Sequence, residues 1–486
     1  MYDFIRIVNY LIRNGIFIYS IAIFIAYIVM AVISGIEIYK YMRKNSFVDY
    51  TSIISSPFAP SITIIAPAFN EGNTIIENIR SLLSIHYFDF EVIIVNDGSK
   101  DDSLEKIIAH YQLEKVDFFV NYTLPSKPVR GIYKSTNKAY KKLLVIDKEN
   151  GGKADSLNAG INICNKKYFA AIDVDCILEE DAILRMIKPF LEFSNSRVIA
   201  TGGVIRIANS CKVKDGKVVE INLPTSLIAR FQVLEYTRAF LMGRMAWSRV
   251  NGLLIISGAF GIFDREIVIK SGGYDVGTVG EDMELVVRMR RYMIENELEY
   301  KIVYIPDPLC WTEVPEKLSV LSRQRNRWTR GNMETLFKHM TLFFNPKYGT
   351  LGMLSHPYFF FFEWLAPIIE FIGVFYVLLA CLLGDPNWPL FLLLIGFAYL
   401  FAVCYSAWAV VFEEFTFARY RRKRDVTRLI LISLLEPLFF HPLNVWFSIR
   451  GNFKFFIGDT SWGKMERKGF ANKKKTKKSN LADQIQ

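Results

Sequence analysis

The apolar run from Gly15 to Ile36 carries no charged residue. At 1.5 Å per residue, about 22 such residues in a helix cross the hydrocarbon core of a bilayer. No small-residue cleavage site follows, so the run reads as a signal-anchor helix over residues 14–39 rather than a removable leader. Two more stretches, Ala366–Leu383 and Pro389–Phe412, are long and apolar enough to span. The chain must therefore fold partly in lipid, and its polar middle must fold as a separate body.

Charge orients the spans. Six basic residues crowd the loop 418–428 (Arg419, Arg421, Arg422, Lys423, Arg424 and Arg428), whereas the connector "GDPNW" (384–388) has no Lys or Arg. Cytoplasmic loops collect such charge, so the basic loop and the middle region are expected in the cytosol and the connector outside. The formal net charge of +11 is concentrated in this loop and in the lysine-rich tail. Basic blocks beside apolar spans point to membrane lipids as partners, not to nucleic acid. The stretch 429–447 contains Glu436, Pro437, His441 and Pro442; an interfacial or re-entrant helix pair is expected there. "HPYFFFFEW" (356–364) reads as an interfacial segment preceding a span. The six cysteines form no CxxC pair and the histidines no ligand spacing, which argues against a disulfide framework or a zinc site.

Four regions follow. Residues 1–57 are an N-terminal span and linker, 58–345 a catalytic-type α/β domain, 346–449 interfacial and transmembrane helices, and 450–486 a basic cytosolic tail. The middle region alternates β-branched runs with helical periodicity. "SITIIAPAFNE", "GNTIIENIRSLLSI", "FEVIIVNDGS" and "SLEKIIAHY" read as strand, helix, strand, helix. This pattern predicts a parallel α/β sheet, whose ligand sites lie beyond the carboxyl ends of its strands. "FNEG", "NDGSKDDS" and "DVD" all fall at such ends.

Asp173 and Asp175 are one residue apart at the exit of the apolar stretch "YFAAI". Alternate residues of a strand face the same way, so both carboxylates can hold a hard divalent cation whose shell a phosphate completes. Taken alone, a DxD pair is more often a solvated turn. Glu179, Glu180 and Asp181 read as an acidic helix start, favoured by the helix dipole.

Further motifs occur in a fixed order: "PAFNEG" (67–72), "VNDGS" (95–99), "ENGGKADSLNAGI" (149–161), "TVGEDMEL" (278–285) and "QRNRW" (324–328). With "DVD", this series resembles the processive family 2 glycosyltransferases of the GT-A fold, which include synthases of cellulose, chitin, hyaluronan and poly-N-acetylglucosamine. The resemblance implies a Rossmann-like GT-A domain flanked by membrane helices. It also implies an inverting transfer from a UDP-sugar, UDP-N-acetylglucosamine or UDP-glucose, to a growing β-linked polysaccharide. Within it, Phe69 stacks near the base, Glu71 and Asp97 accept from base and ribose, Lys153 neutralises phosphate and Asp155 orients its neighbours. Asp173 and Asp175 hold Mg2+ or Mn2+ against the diphosphate, and Asp282 is the general base. Gln324, Arg327 and Trp328, on one short basic helix, serve the acceptor end, where Arg327 meets the diphosphate and Trp328 a sugar ring. "IISGAFGIF" (255–263) forms part of the acceptor wall, and "SWGKMERKGF" (461–470) loosely resembles a gating loop.

Two other readings stay open at this level: a single transfer to a lipid-linked acceptor, and a non-catalytic sugar-nucleotide-binding subunit. Intact Lys153, Asp173, Asp175 and Asp282 disfavour the second. The expected place is the inner cell membrane, multi-pass, with room for an accessory export subunit.

Overall fold

The structure is a computed structural model and describes residues 2–45, 59–192, 196–382, 388–417, 420 and 422–458. Its centre is a ten-stranded sheet in the order β3-β4-β5-β2-β1-β6-β11-β8-β12-β7, beside a separate antiparallel ribbon of β9 (Lys212–Lys214) and β10 (Lys217–Glu220). β1 (Ile62–Ala68), β2 (Phe90–Asn96), β5 (Leu143–Lys148) and β6 (Tyr168–Ile172) run parallel at its core. They are short and apolar and buried on both faces, as helix-covered parallel strands must be. The helix Ile75–Leu83 covers one face by burying Ile75, Ile79 and Leu82 at helical spacing.

The expected parallel sheet holds only for this core. β3 (Leu113–Val116) and β4 (Val129–Ser135) add antiparallel strands on one side. On the other side β11 (Phe260–Asp264) runs antiparallel to both β6 and β8 (Arg197–Ile207). β12 (Tyr300–Thr312) is parallel to β8, and the short β7 (Ile177–Leu178) closes the edge against β12. The later strands come from longer, irregular stretches in which strand and helix patterns do not alternate cleanly, so the sheet is mixed. The β1 strand lies between β2 and β6, so the order reverses there and opens a crevice at the carboxyl ends. Glu179–Asp181 stand directly before the helix Ala182–Glu192 and not in its first turn; Glu179 accepts from Trp311, and Glu180 and Asp181 pair with Lys217 and Arg185.

Among the described residues, four helices are long and apolar enough to cross a membrane: Asn14–Asn45, Leu351–Leu382, Phe391–Phe417 and Lys423–Phe456. The first docks on the α/β domain through its last turns. Ser34 Oγ donates to Leu241 O at 2.7 Å, Lys44 pairs with Glu192 at 2.8 Å, and Tyr41 donates to Asp307. "HPYFFFFEW" is helical, and a bend at Leu365 sets it off from the helix Ala366–Leu382 that follows. The helix pair expected over 429–447 is instead one run. A π-type turn, Glu436–Phe440, carries Pro437 without a break, because wider hydrogen-bond spacing absorbs the missing N–H. The end of that run lies on the helix Leu318–Lys338: a Cβ at Gly451 would come within 2.9 Å of Thr329 Cβ and 3.1 Å of Asn326 O. The connector 384–387, the basic-loop positions 419 and 421 with Ala418, and the tail with its gating-type loop lie outside the described residues, as does the linker 46–58.

Candidate active site

Three groups of side chains meet at the carboxyl edge of the sheet. The first surrounds the end of β2. Asp97 is buried, and Lys148 Nζ lies 2.7 Å from its Oδ1 and 2.6 Å from Asp155 Oδ1. The backbone N–H groups of Gly151 and Gly152 donate to the two Asp97 oxygens at 2.9 and 2.8 Å, and Asn150 Nδ2 donates at 3.1 Å. Asp155 also accepts from Lys127 N at 3.0 Å. Asp97 therefore pins the glycine loop that starts the helix Lys153–Ile163, and much of the acceptor capacity assigned to a ribose is already used. Lys148, wholly buried between two carboxylates, was missed in the sequence reading. The available signal was its place at the polar exit of an apolar strand, the rule that singled out Asp97 and Asp173.

At the end of β1, Phe69 is 44% exposed. Asn70 follows in a left-handed conformation, φ 55°, and its N–H donates to Ser99 Oγ at 3.0 Å. Glu71 N donates to Ser103 Oγ at 3.0 Å, and Thr74 Oγ1 donates to the Glu71 carboxylate at 3.2 Å. Both sequence-predicted residues thus belong to the loop pair 69–72 and 99–103, beside β2.

The second group is the densest. Lys153 Nζ lies 2.5 Å from Asp173 Oδ1 and 3.8 Å from Glu281 Oε1, and donates to Gly258 O at 3.0 Å. Asp282 Oδ2 accepts from Gly258 N at 3.0 Å, and its Oδ1 accepts from Met283 N at 2.9 Å. Gly258 therefore bonds both the ammonium and the carboxylate. A Cβ there would fall 2.7 Å from Lys153 Nζ and 3.5 Å from Asp282 Oδ2, so only glycine leaves both side chains in place. Lys153, Leu157, Ser257, Tyr274, Glu281 and Asp282 line a small cavity around this point. Burial pulls the Lys153 ammonium down, but Asp173, Glu281 and Asp282 more than offset this and hold it above its ordinary range. Burial raises Glu281, with Lys153 and Arg327 opposing. Burial also holds the Tyr274 phenol well up, reinforced by Glu281, Asp282 and Asp173, so it faces the cavity neutral.

Asp173, Asp175 and Cys176 can bring one ligand atom each to within 4.8 Å of one another. Two carboxylates on one turn suit an oxygen-seeking divalent cation. The Cys176 thiol is buried and pushed well up, first by Cys310 and then by desolvation, which makes it a poor ligand for such an ion. The donor set therefore fits Mg2+ or Mn2+ through the two aspartates. All six cysteines are unpaired.

The third group sits on the helix Leu318–Lys338, which at 21 residues is longer than the short helix expected. Gln324 is buried, with Oε1 lacking a partner among the described residues. Trp328 is 42% exposed, and Arg325 stacks 4.2 Å from its ring centroid while pairing with Glu235 at 2.5 Å. The charge of Arg327 reaches Glu281. Gly280, before Glu281 and Asp282, touches Gly331 of this helix backbone to backbone: a Cβ at Gly331 would lie 2.6 Å from Gly280 Cα. Trp328 and Gln324 thus join the centre through the helix that carries them.

Comparison with known families agrees with this geometry. The model of glycosyl transferase family 2 matches residues 63–253, and that of glycosyl transferase family group 2 matches 216–411. Poly-β-1,6-N-acetyl-D-glucosamine synthase of Staphylococcus epidermidis is 27% identical over 305 residues, 62% of each chain. The enzyme of that name from Staphylococcus aureus strain MSSA476 is 26% identical over 312 residues, 64% of each chain. The matched region thus spans less than two thirds of these relatives' length. A mannosyltransferase from Pyrobaculum calidifontis, solved with GDP-mannose and Mn2+, aligns over 86% of this chain and 98% of its own at 17% identity and TM-score 0.49, too loose a likeness to bear on chemistry. Successive family models thus run from the first strand into the apolar helices, and over these residues the chain resembles the family 2 glycosyltransferases, among them the poly-β-1,6-N-acetyl-D-glucosamine synthases.

Proposed function

We propose that this protein transfers a sugar from a UDP-sugar, UDP-N-acetylglucosamine first, to a hydroxyl of a growing β-linked polysaccharide, and passes the product through its membrane helices. The observation that carries the reading is the convergence of Asp282 and Lys153 on Gly258 at the sheet's carboxyl edge, with Asp173 paired to the Lys153 ammonium. The donor choice rests on the name of the curated relatives.

Asp282 is the general base. Two backbone N–H groups hold its carboxylate, and Oδ2 takes the acceptor proton as the hydroxyl attacks the anomeric carbon. Attack from the face opposite UDP inverts that carbon. Lys153 meets the charge that develops on the leaving diphosphate. Asp173 and Asp175 would hold Mg2+ or Mn2+, which when bound would supply Lewis-acid stabilisation of the same charge. Phe69 stacks on the base, Glu71 and Asp97 meet base and ribose, and Asp155 keeps Lys148 against Asp97. Gln324, Arg327 and Trp328 receive the acceptor end, with 255–263 as its wall.

The α/β domain lies in the cytosol of a multi-pass inner-membrane protein. The Lys423–Phe456 run, held against the helix Leu318–Lys338 at Gly451, lies along the interface beside that domain. This placement keeps the lysine-rich tail on the cytosolic side.

Asp282→Asn tests the assignment. A general base contributes about 10²–10⁴-fold, so UDP release with UDP-N-acetylglucosamine should fall by that factor while UDP affinity stays within about twofold. Polymer synthesis by the variant at the wild-type rate would refute it.

A further inference from the structure

The base is only as well placed as the loop that delivers it, and that loop is held from outside its own helix. Glu334 Oε2 accepts from Thr278 Oγ1 at 2.6 Å and from Val279 N at 2.8 Å. Thr278 Oγ1 in turn accepts from Gly280 N at 3.1 Å. Three consecutive residues before Glu281 and Asp282 are thus tied, directly or through one hydroxyl, to a single carboxylate. That carboxylate belongs to the helix Leu318–Lys338, ten positions beyond Arg327's neighbourhood at Gln324 and three beyond Gly331. The Gly280–Gly331 contact closes the same junction from the other side, with backbone atoms too near for any side chain between them.

We infer that Glu334 is a positioning residue for Asp282: it locks the loop 278–280 onto the helix that bears Gln324, Arg327 and Trp328. The inference rests on the proposed role of Asp282 and deepens it. The base and the acceptor-end residues then keep one fixed spacing, as attack on an anomeric carbon requires; an error of about 1 Å in such a spacing can cost on the order of 10²-fold in rate. A carboxylate suits the task because it accepts two hydrogen bonds at once without donating any. Neither bond reaches the donor-side residues Asp97, Lys148 or Asp155, so the effect should fall on transfer and not on donor binding.

The test uses the full chain in detergent, UDP-N-acetylglucosamine with Mn2+ as probe, UDP release as readout, and UDP affinity measured separately. Glu334→Ala should lower kcat at least about tenfold with UDP affinity and donor KM within about twofold. Glu334→Gln keeps an acceptor oxygen at the same reach and should restore at least about a third of the lost rate. Thr278→Val removes the hydroxyl link, leaves the Val279 bond, and should fall between wild type and Glu334→Ala. It also covers the case in which Glu334→Ala fails to fold. The inference is overturned if the Ala and Val variants keep kcat within about twofold, or if kcat, donor KM and folded fraction decline together. A wild-type protein inactive with the probe, or a fully active Asp282→Asn, would instead overturn the proposed function itself.

Discussion

Lys148→Met is the sharpest test of how the donor side is built. Lys148 is wholly buried, 2.7 Å from Asp97 and 2.6 Å from Asp155, both also buried. Methionine fills nearly the same volume, so packing changes little and the charge alone is removed. Taking one partner from a buried ion pair costs about 3–5 kcal/mol, because the remaining charge stays desolvated. Asp97 keeps its bonds from Asn150, Gly151 and Gly152, and Asp155 keeps that from Lys127. Those bonds place the cost at the lower end, about 3 kcal/mol. Spread over a domain of about 290 residues, the loss lowers the unfolding midpoint by about 5 °C. Thermal unfolding of the purified variant in detergent reads it directly, and UDP affinity should drop with it, since Asp97 and Asp155 lose the cation that holds them together beneath the glycine loop. Lys148→Arg keeps the charge and should lose less than half as much. A Lys148→Met midpoint within about 2 °C of wild type, with unchanged UDP affinity, would refute the reasoning.

Three further outcomes follow from the same geometry. Asp175→Ala should weaken Mn2+-dependent UDP binding at least about tenfold and leave metal-independent binding alone, measured by titration with and without chelator. Glu284, fully buried, would be raised by burial, but His339, Arg288 and Lys338 more than offset this and hold it well below the usual carboxylate range. Its stabilisation is therefore present above the unfolded value of about 4.3 and lost as pH falls toward the depressed folded value. Glu284→Gln should cost about 2 kcal/mol or more at pH 7.5, a deficit that shrinks below about pH 4; a deficit that grows with acid contradicts the assignment. Gly331→Ala puts a methyl 2.6 Å from Gly280 Cα, so the overpacked junction should cost about 1–3 kcal/mol in thermal unfolding and displace the Asp282 loop, reducing UDP release more than UDP binding.

Much of the centre was readable because strand exits obey a local rule. An apolar β-branched run followed by Asp or Asn marked Asp97 and Asp173 without any knowledge of pairing, and two glycines before a helix marked the 149–155 loop. The order of "VNDGS", "GGKAD", "DVD", "GED" and "QRNRW" then did what no single motif could. Pairing itself was not readable. β11 inserts between β6 and β8 through contacts between strands far apart in sequence, so the parallel sheet extrapolated from its first half became mixed. Gly258, Gly331 and Glu334 escaped notice because their value lies in what touches them: one bonds an ammonium and a carboxylate, another leaves room for a facing glycine, and the third accepts from a distant loop. In the membrane part, hydropathy located the spans. It did not foresee that a π-type turn would carry Pro437 and join two expected helices into one run.

The central claim is that this site moves a sugar from UDP onto a polymer with Asp282 as base. The most direct measurement incubates membrane vesicles holding the wild-type chain or Asp282→Asn with labelled UDP-N-acetylglucosamine and Mn2+, and follows UDP release and product size together. The account predicts UDP release with a labelled product of polymer size from the wild type, and neither from the variant. Wild-type vesicles that release no UDP, or variant vesicles that yield the same polymer, would contradict it.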